Sequence, residues 1–252
     1  MASLLATRGL TKEFGHLRVL DSVDIEARDG EILGLIGPNG SGKSTWMNCV
    51  SGAYRPSAGR VTLKGSDVTG KPPHVIYHRG LSRTFQLLEN FAQMTVRDNL
   101  VLSGQERRGT IASRLLRSST RVENELARSL AEFLGIAHLL DERVATLSYG
   151  QQKLCDIGMA LMSEPDILLL DEPMAGVNPT LINEIVERLV ELNRAGTTLV
   201  VVEHNMRVMM ELCHRMVVLD HGELIADGEP GAIRQDPDVI AAYFGSSSGA
   251  GA

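Results

Sequence analysis

Gly37-Pro38-Asn39-Gly40-Ser41-Gly42-Lys43-Ser44-Thr45 decides the fold, because of what stands on either side of it. Before it runs Glu31-Ile32-Leu33-Gly34-Leu35-Ile36, a short apolar stretch that suits a buried strand. After it, residues from Lys43 to about Val50 are expected to form a helix. The stretch thus matches G-x-x-x-x-G-K-[ST] between a strand and a helix, which is the context the motif requires. Gly37, Gly40 and Gly42 let the backbone curl so that successive N–H groups point at phosphate oxygens, and the helix start adds its positive end. Lys43 is then placed to reach the outer phosphates and Ser44 to ligate Mg²⁺, with Asn39, Ser41 and Thr45 completing the candidate phosphate-binding run. A glycine-rich turn with an incidental lysine is the competing reading. Eight positions in register with both flanks argue against it. The motif points to a nucleoside triphosphate without naming the reaction.

Working outward, residues 4–36 read as strands separated by turns, and 60–63 and 81–85 as further strands. From about 87 to 163 the texture turns helical, with Leu126, Leu130, Phe133 and Leu134 forming an apolar stripe at helical spacing. Strands then return at 167–170, Thr198–Val202 and 216–219. Between the first two, Asn178 is a suitable N-cap and Pro179 a suitable first helical residue. Leu181, Ile182, Ile185, Val186, Leu189 and Val190 give that helix one apolar face. Alternating strands and helices predict an α/β fold around a mostly parallel sheet, with a helical insertion.

The run Ile167-Leu168-Leu169-Leu170-Asp171-Glu172 is an apolar strand ending in two carboxylates. Asp171 is a candidate Mg²⁺ ligand through water, and Glu172 a candidate general base for a water attacking the γ-phosphate. A strand-terminal Asp that only caps the next turn is the plainer reading. Gln86 and His204 stand at the ends of two further expected strands. A glutamine amide can bridge metal and water, and a neutral imidazole can donate to a phosphate oxygen. Strand ends of an open α/β sheet share one crevice, so these positions converge. Ser148 and Gln151 have capping-box spacing. Gly150 early in that helix costs up to ~1 kcal/mol against Ala, and would permit close approach of an anion.

Composition bounds the rest. The chain has 252 residues, 43% hydrophobic and 22% charged, enough for a sizeable core without disulfides. The net charge of −6 and 4% aromatic content argue against general nucleic-acid binding or a base-stacking surface. Cys49, Cys155 and Cys213 are widely spaced and odd in number, which fits a reducing compartment and no zinc site. No signal peptide is expected, and no apolar run approaches the ~20 residues of a membrane span.

The order of these elements resembles the ATP-binding-cassette ATPases, the nucleotide-binding subunits of membrane transporters. The resemblance spans about residues 4–245 and rests on six elements in sequence. They are Phe14, Walker A (37–45), Gln86, the signature Leu147-Ser148-Tyr149-Gly150-Gln151, Walker B with Glu172, and the switch His204. It implies a P-loop NTPase cassette with a parallel-sheet core, an N-terminal antiparallel β subdomain and a helical subdomain. Its expected bounds are 1–86 and 164–245 for the core and 87–163 for the helical part, with 246–252 a disordered tail. It further implies a head-to-tail dimer with a second cassette, identical or different. Ser148, Gly150 and Gln151 would cover the partner's ATP, and Phe14 would stack on adenine. Glu172 would activate water, His204 would hold the γ-phosphate, and Gln86 would link nucleotide to transmembrane permease subunits. Ala175–Asn178 would communicate across the dimer as the D-loop. The implied cofactors are ATP and Mg²⁺, and the implied place is peripheral, on the cytoplasmic face of the membrane.

Two departures point to a subfamily. Tyr149 replaces the first glycine of the usual Leu-Ser-Gly-Gly-Gln, and Ala175-Gly176-Val177-Asn178 replaces the common Ser-Ala-Leu-Asp. These, with the ending Asp236-Pro-Asp-Val-Ile-Ala-Ala-Tyr-Phe-Gly245, are similar to ATPase subunits of branched-chain amino acid importers. Such a system also implies an extracytoplasmic solute-binding protein. Urea or amide importers, a lipopolysaccharide exporter and a soluble non-transport cassette protein are the competing readings; a small-molecule kinase would lack the signature. Finally, Arg107, Arg108, Arg114, Arg117 and Arg121 are accompanied by one acid, Glu106, and read either as a solvated helix face or as a surface near the cytoplasmic leaflet or the membrane subunit.

Overall fold

A computed structural model describes residues 3–84, 91–104 and 121–244. Two sheets organise it. The first is antiparallel and holds β1 (Ser3–Phe14), β2 (Leu17–Val23), β3 (Glu26–Arg28), β5 (Ala58–Leu63) and β6 (Ser66–Asp67). Its path is β2-β1-β5-β6, with β3 also paired to β1. The second holds β4 (Ile32–Ile36), β7 (Leu81–Arg83), β8 (Ile167–Asp171), β9 (Thr198–Val202), β10 (Arg215–Asp220) and β11 (Glu223–Gly228), in the order β11-β10-β4-β9-β8-β7. It is parallel except for the terminal β10–β11 hairpin.

The parallel strands are buried on both faces, as near-continuous apolar strands require. Alternation sorts their side chains. Ile32, Ile36, Leu168, Leu170, Leu199 and Val201 face a core shared with the helices. Leu33, Leu35, Leu169, Val200, Val202 and Val217 face the opposite core, with the antiparallel sheet and Trp46. Two hydrophobic cores therefore clamp one sheet, and the chain's carboxyl-end loops emerge from a rigid plate.

The helices are α1 (Lys43–Val50), α2 (Pro73–His78), α3 (Val96–Gly104), α4 (Arg121–Phe133), α5 (Tyr149–Leu161), α6 (Pro179–Arg194), α7 (Met206–Leu212), α8 (Pro230–Ile233) and α9 (Pro237–Phe244). α1 begins and ends where the sequence places it. Asn178 caps α6 as expected, its side chain accepting the Leu181 N–H at 3.0 Å. The apolar face of α6 is only partly closed: Ile185 and Leu189 are buried, while Leu181, Ile182, Val186 and Val190 are partly exposed against the same core. Leu126, Leu130 and Phe133 of α4 pack on that core beside the buried Leu134. The strand expected over 81–85 is shorter; β7 ends at Arg83, and Thr84 still donates to the Leu169 carbonyl. Arg121 opens α4, exposed and 2.8 Å from Glu125. The other arginines of that cluster, residue 245 and the tail 246–252 lie outside the described residues. Among the described residues no helix is long and apolar enough to cross a membrane.

Candidate active site

β4, β9 and β8 are neighbours, so the loops after Ile36, Val202 and Asp171 leave the same edge of the sheet side by side. Gly37 opens the first loop at φ +146°, and a Cβ there would lie 2.0 Å from the Leu219 carbonyl oxygen. Only glycine fits. Its N–H donates to the Tyr243 hydroxyl at 2.8 Å, which ties α9 to the start of the loop. Gly42 precedes α1 in a left-handed conformation with no side-chain cap, so the first-turn N–H groups of α1 are left to other acceptors.

The Lys43 ammonium is buried and donates to the carbonyls of Gly37 and Pro38, each at 2.8 Å, and to the Ser41 hydroxyl at 3.3 Å. Burial lowers its pKa, while the carboxylates of Glu172 and Asp171 pull it the other way. Asn39, Gly40 and Ser44 are exposed and Thr45 half-buried along the same loop and first turn.

Asp171 ends β8 with its side chain buried against the Arg83 guanidinium at 2.9 Å. Arg83 reaches Asn48 of α1 as well, at 2.6 Å. Glu172 turns the chain at φ +48°, a left-handed conformation uncommon for a residue with a side chain. Its N–H donates to the Val202 carbonyl at 2.9 Å, fastening it to β9. Its Oε1 lies 2.7 Å from Nε2 of His204, and both side chains are reachable from solvent, at 17% and 45% exposure. The sequence reading brought Glu172 and His204 to one crevice, and here they touch.

Phe14 lies at the end of β1, exposed, with Tyr54 edge-on at 5.4 Å between ring centroids and the Lys12 ammonium 4.7 Å from its ring. Ser148 caps α5 in a full capping box: it accepts the Gln151 N–H, and its own N–H donates to Gln151 Oε1 at 2.9 Å. Among the described residues no hydrogen bond joins 148–151 to the Lys43 loop. At Gly150 a Cβ would stand 2.3 Å from the end of the Leu181 side chain of α6, so a larger residue there would push that side chain aside. Gln86 lies outside the described residues.

Three residues at this edge were not singled out from sequence. Arg83 holds Asp171, Tyr243 holds Gly37, and Glu203 is a buried carboxylate directly before His204. Only the position of Glu203, charged and immediately after the apolar run Leu199–Val202, carried a readable signal.

Comparison with known proteins shows the family of the chain. Residues 20–175 match the family described as ABC transporter, and residues 223–248 match that of the branched-chain amino acid ATP-binding cassette transporter. A probable branched-chain amino acid transport ATP-binding protein, LivG, of Archaeoglobus fulgidus is 38% identical over 247 residues, covering 96% of each chain. The high-affinity LivG of Salmonella typhimurium is 38% identical over 251 residues, covering 97% of this chain and 98% of its own. The ADP conformation of a crystallised ATP-binding cassette of an ABC transporter superposes with a TM-score of 0.88 at 35% identity, covering 97% of this chain and all of that one.

Proposed function

Since the chain belongs to the ABC transporter family, as a nucleotide-binding ATPase cassette, we propose that it energises an importer of branched-chain amino acids. The names of its relatives and the match over residues 223–248 support that solute class. The observation that carries the chemistry is the convergence of Lys43, Asp171, Glu172 and His204 at one sheet edge, with Glu172 and His204 2.7 Å apart.

The donor set fits a magnesium–triphosphate. Among the described residues no group of three or more His, Cys, Asp or Glu could hold a metal alone. Mg²⁺ needs no such group, since it keeps waters and takes one or two protein oxygens plus phosphate. The exposed Ser44 hydroxyl would supply one such oxygen and the Asp171 carboxylate would hold the ion through water, with Gln86 as a third candidate. When bound, the ion neutralises charge on the phosphate oxygens. The curled backbone of 37–42 offers N–H groups to the phosphates, and Lys43 exchanges its loop carbonyls for phosphate oxygens. Glu172 takes the proton of the attacking water. His204 keeps the Glu172 carboxylate beside its ring and directs its single N–H to the γ-phosphate once nucleotide is bound.

The signature residues complete the site in trans. Ser148 and Gly150, with Gln151 bracing the turn, present the start of α5 to ATP on a second cassette. Phe14 stacks on the adenine of the nucleotide at its own chain's Lys43 loop. The helical part, 87–163, carries that surface and meets the transmembrane subunits at the cytoplasmic face, while the core spans 1–86 and 164–245. A solute-binding protein outside the membrane delivers the amino acid.

Release of inorganic phosphate from MgATP, measured without any acceptor over a range of protein concentrations, tests the reaction. Release that rises more steeply than protein concentration is expected from a site shared by two chains. Turnover that needs an added acceptor would make the chain a kinase.

A further inference from the structure

Glu203 has no role in the chemistry above, yet its placement is costly. It is 4% exposed, and burial pushes its carboxyl pKa up from the ordinary value. Burying a carboxylate is unfavourable unless hydrogen bonds compensate. Its partners are backbone N–H groups: Oε1 accepts from Met174 at 2.7 Å and Oε2 from His204 at 3.1 Å. Filling the same space with an amide would cost less desolvation but would offer one acceptor oxygen instead of two.

The two N–H groups belong to different loops. Met174 lies two residues past Glu172 in the turn after β8, and His204 starts the loop after β9. The carboxylate therefore closes a ring: Glu172 to Met174 along one loop, Met174 to Glu203 by hydrogen bond, Glu203 to His204 along the other loop, and His204 back to Glu172 at 2.7 Å. We propose that Glu203 is a positioning residue, whose two oxygens clamp the turn after Glu172 to the backbone of His204 and so set the Glu172–His204 contact. The proposal rests on that pair carrying out hydrolysis. A misplacement of ~1 Å in such a pair can cost about 100-fold in rate.

The test is a cycle of Glu203→Gln, His204→Ala and the double variant, read by single-turnover ATP hydrolysis and by nucleotide affinity. Rates are normalised to titrated nucleotide sites, so unfolded protein does not count. Glu203→Gln should lower kcat about 10- to 100-fold and leave KM and nucleotide affinity within about twofold. In the His204→Ala background the same change should alter the rate less than about twofold, because the group it positions is gone. Effects that multiply in the double variant, or a loss confined to KM, overturn the proposal. If Glu203→Gln does not fold, Glu203→Asp, with both oxygens on a shorter stem, enters the same cycle with the same readings. A slow His204→Ala beside a normal Glu203→Gln sinks the clamp alone; a normal His204→Ala sinks the hydrolytic pair and the clamp with it.

Discussion

The Arg83 guanidinium meets the Asp171 carboxylate at 2.9 Å with both side chains more than nine-tenths buried. One ion pair thereby joins β7 to the last residue of β8, and through Asn48 at 2.6 Å it also reaches α1. Asp171 is held in place beside the start of α1 by these contacts. The sheet supplies the direction of the carboxylate and Arg83 supplies its fixity.

Removing one partner of such a pair strands the other. Arg83→Met should destabilise the chain by about 3–5 kcal/mol, the usual cost of an unpaired buried charge. Adding Asp171→Asn should recover part of that loss. Urea unfolding midpoints check both; a double variant no more stable than Arg83→Met alone would refute the pair as the cause.

Ser148→Arg separates the two halves of the proposed shared site. The cap it removes is worth about 1 kcal/mol, so the chain stays folded. Hydrolysis should vanish while ATP affinity at the chain's own Lys43 loop changes little. Isothermal titration beside phosphate release reads both. Loss of binding along with hydrolysis would mean that α5 serves the nucleotide of its own chain.

Glu31 predicts part of the acid sensitivity. Burial pushes its carboxyl up, but hydrogen bonds from Arg215 at 2.7 Å and the Arg28 N–H at 2.8 Å outweigh that and hold its pKa below the ordinary 4.5. Its stabilising share is then fully present above the unfolded value and is lost as pH falls through the folded one. Unfolding midpoints followed from about pH 7 down to about pH 3 should fall less steeply for Glu31→Gln than for the unaltered chain. Parallel curves would contradict this.

What sequence could and could not reveal follows from range. The Asn178 cap and the Ser148–Gln151 box were legible because each is settled within four residues by N–H groups a helix start must satisfy. The start of α1 at Lys43 was legible from the glycine-rich motif between a strand and a helix, since α1 has no side-chain cap. Arg83–Asp171, Glu203–Met174 and Gly37–Tyr243 join residues 88, 29 and 206 positions apart. Nothing local marks them, since they exist only once the order β4-β9-β8-β7 is set. Gly150 shows a subtler gap. Its cost in a helix was visible, but the packing of Leu181 against it was not. That close approach stands beside any part Gly150 has in receiving a phosphate.

The central claim is that Glu172, held against His204, takes the proton from the attacking water. Glu172→Gln tests it most directly, because the amide keeps the shape and can still bond the His204 ring. In a single-turnover assay with MgATP, the variant should bind nucleotide with near-unaltered affinity, hold it as ATP in a dimer, and hydrolyse it ~10²–10⁴-fold more slowly. Hydrolysis by Glu172→Gln at the rate of the unaltered chain would contradict the account.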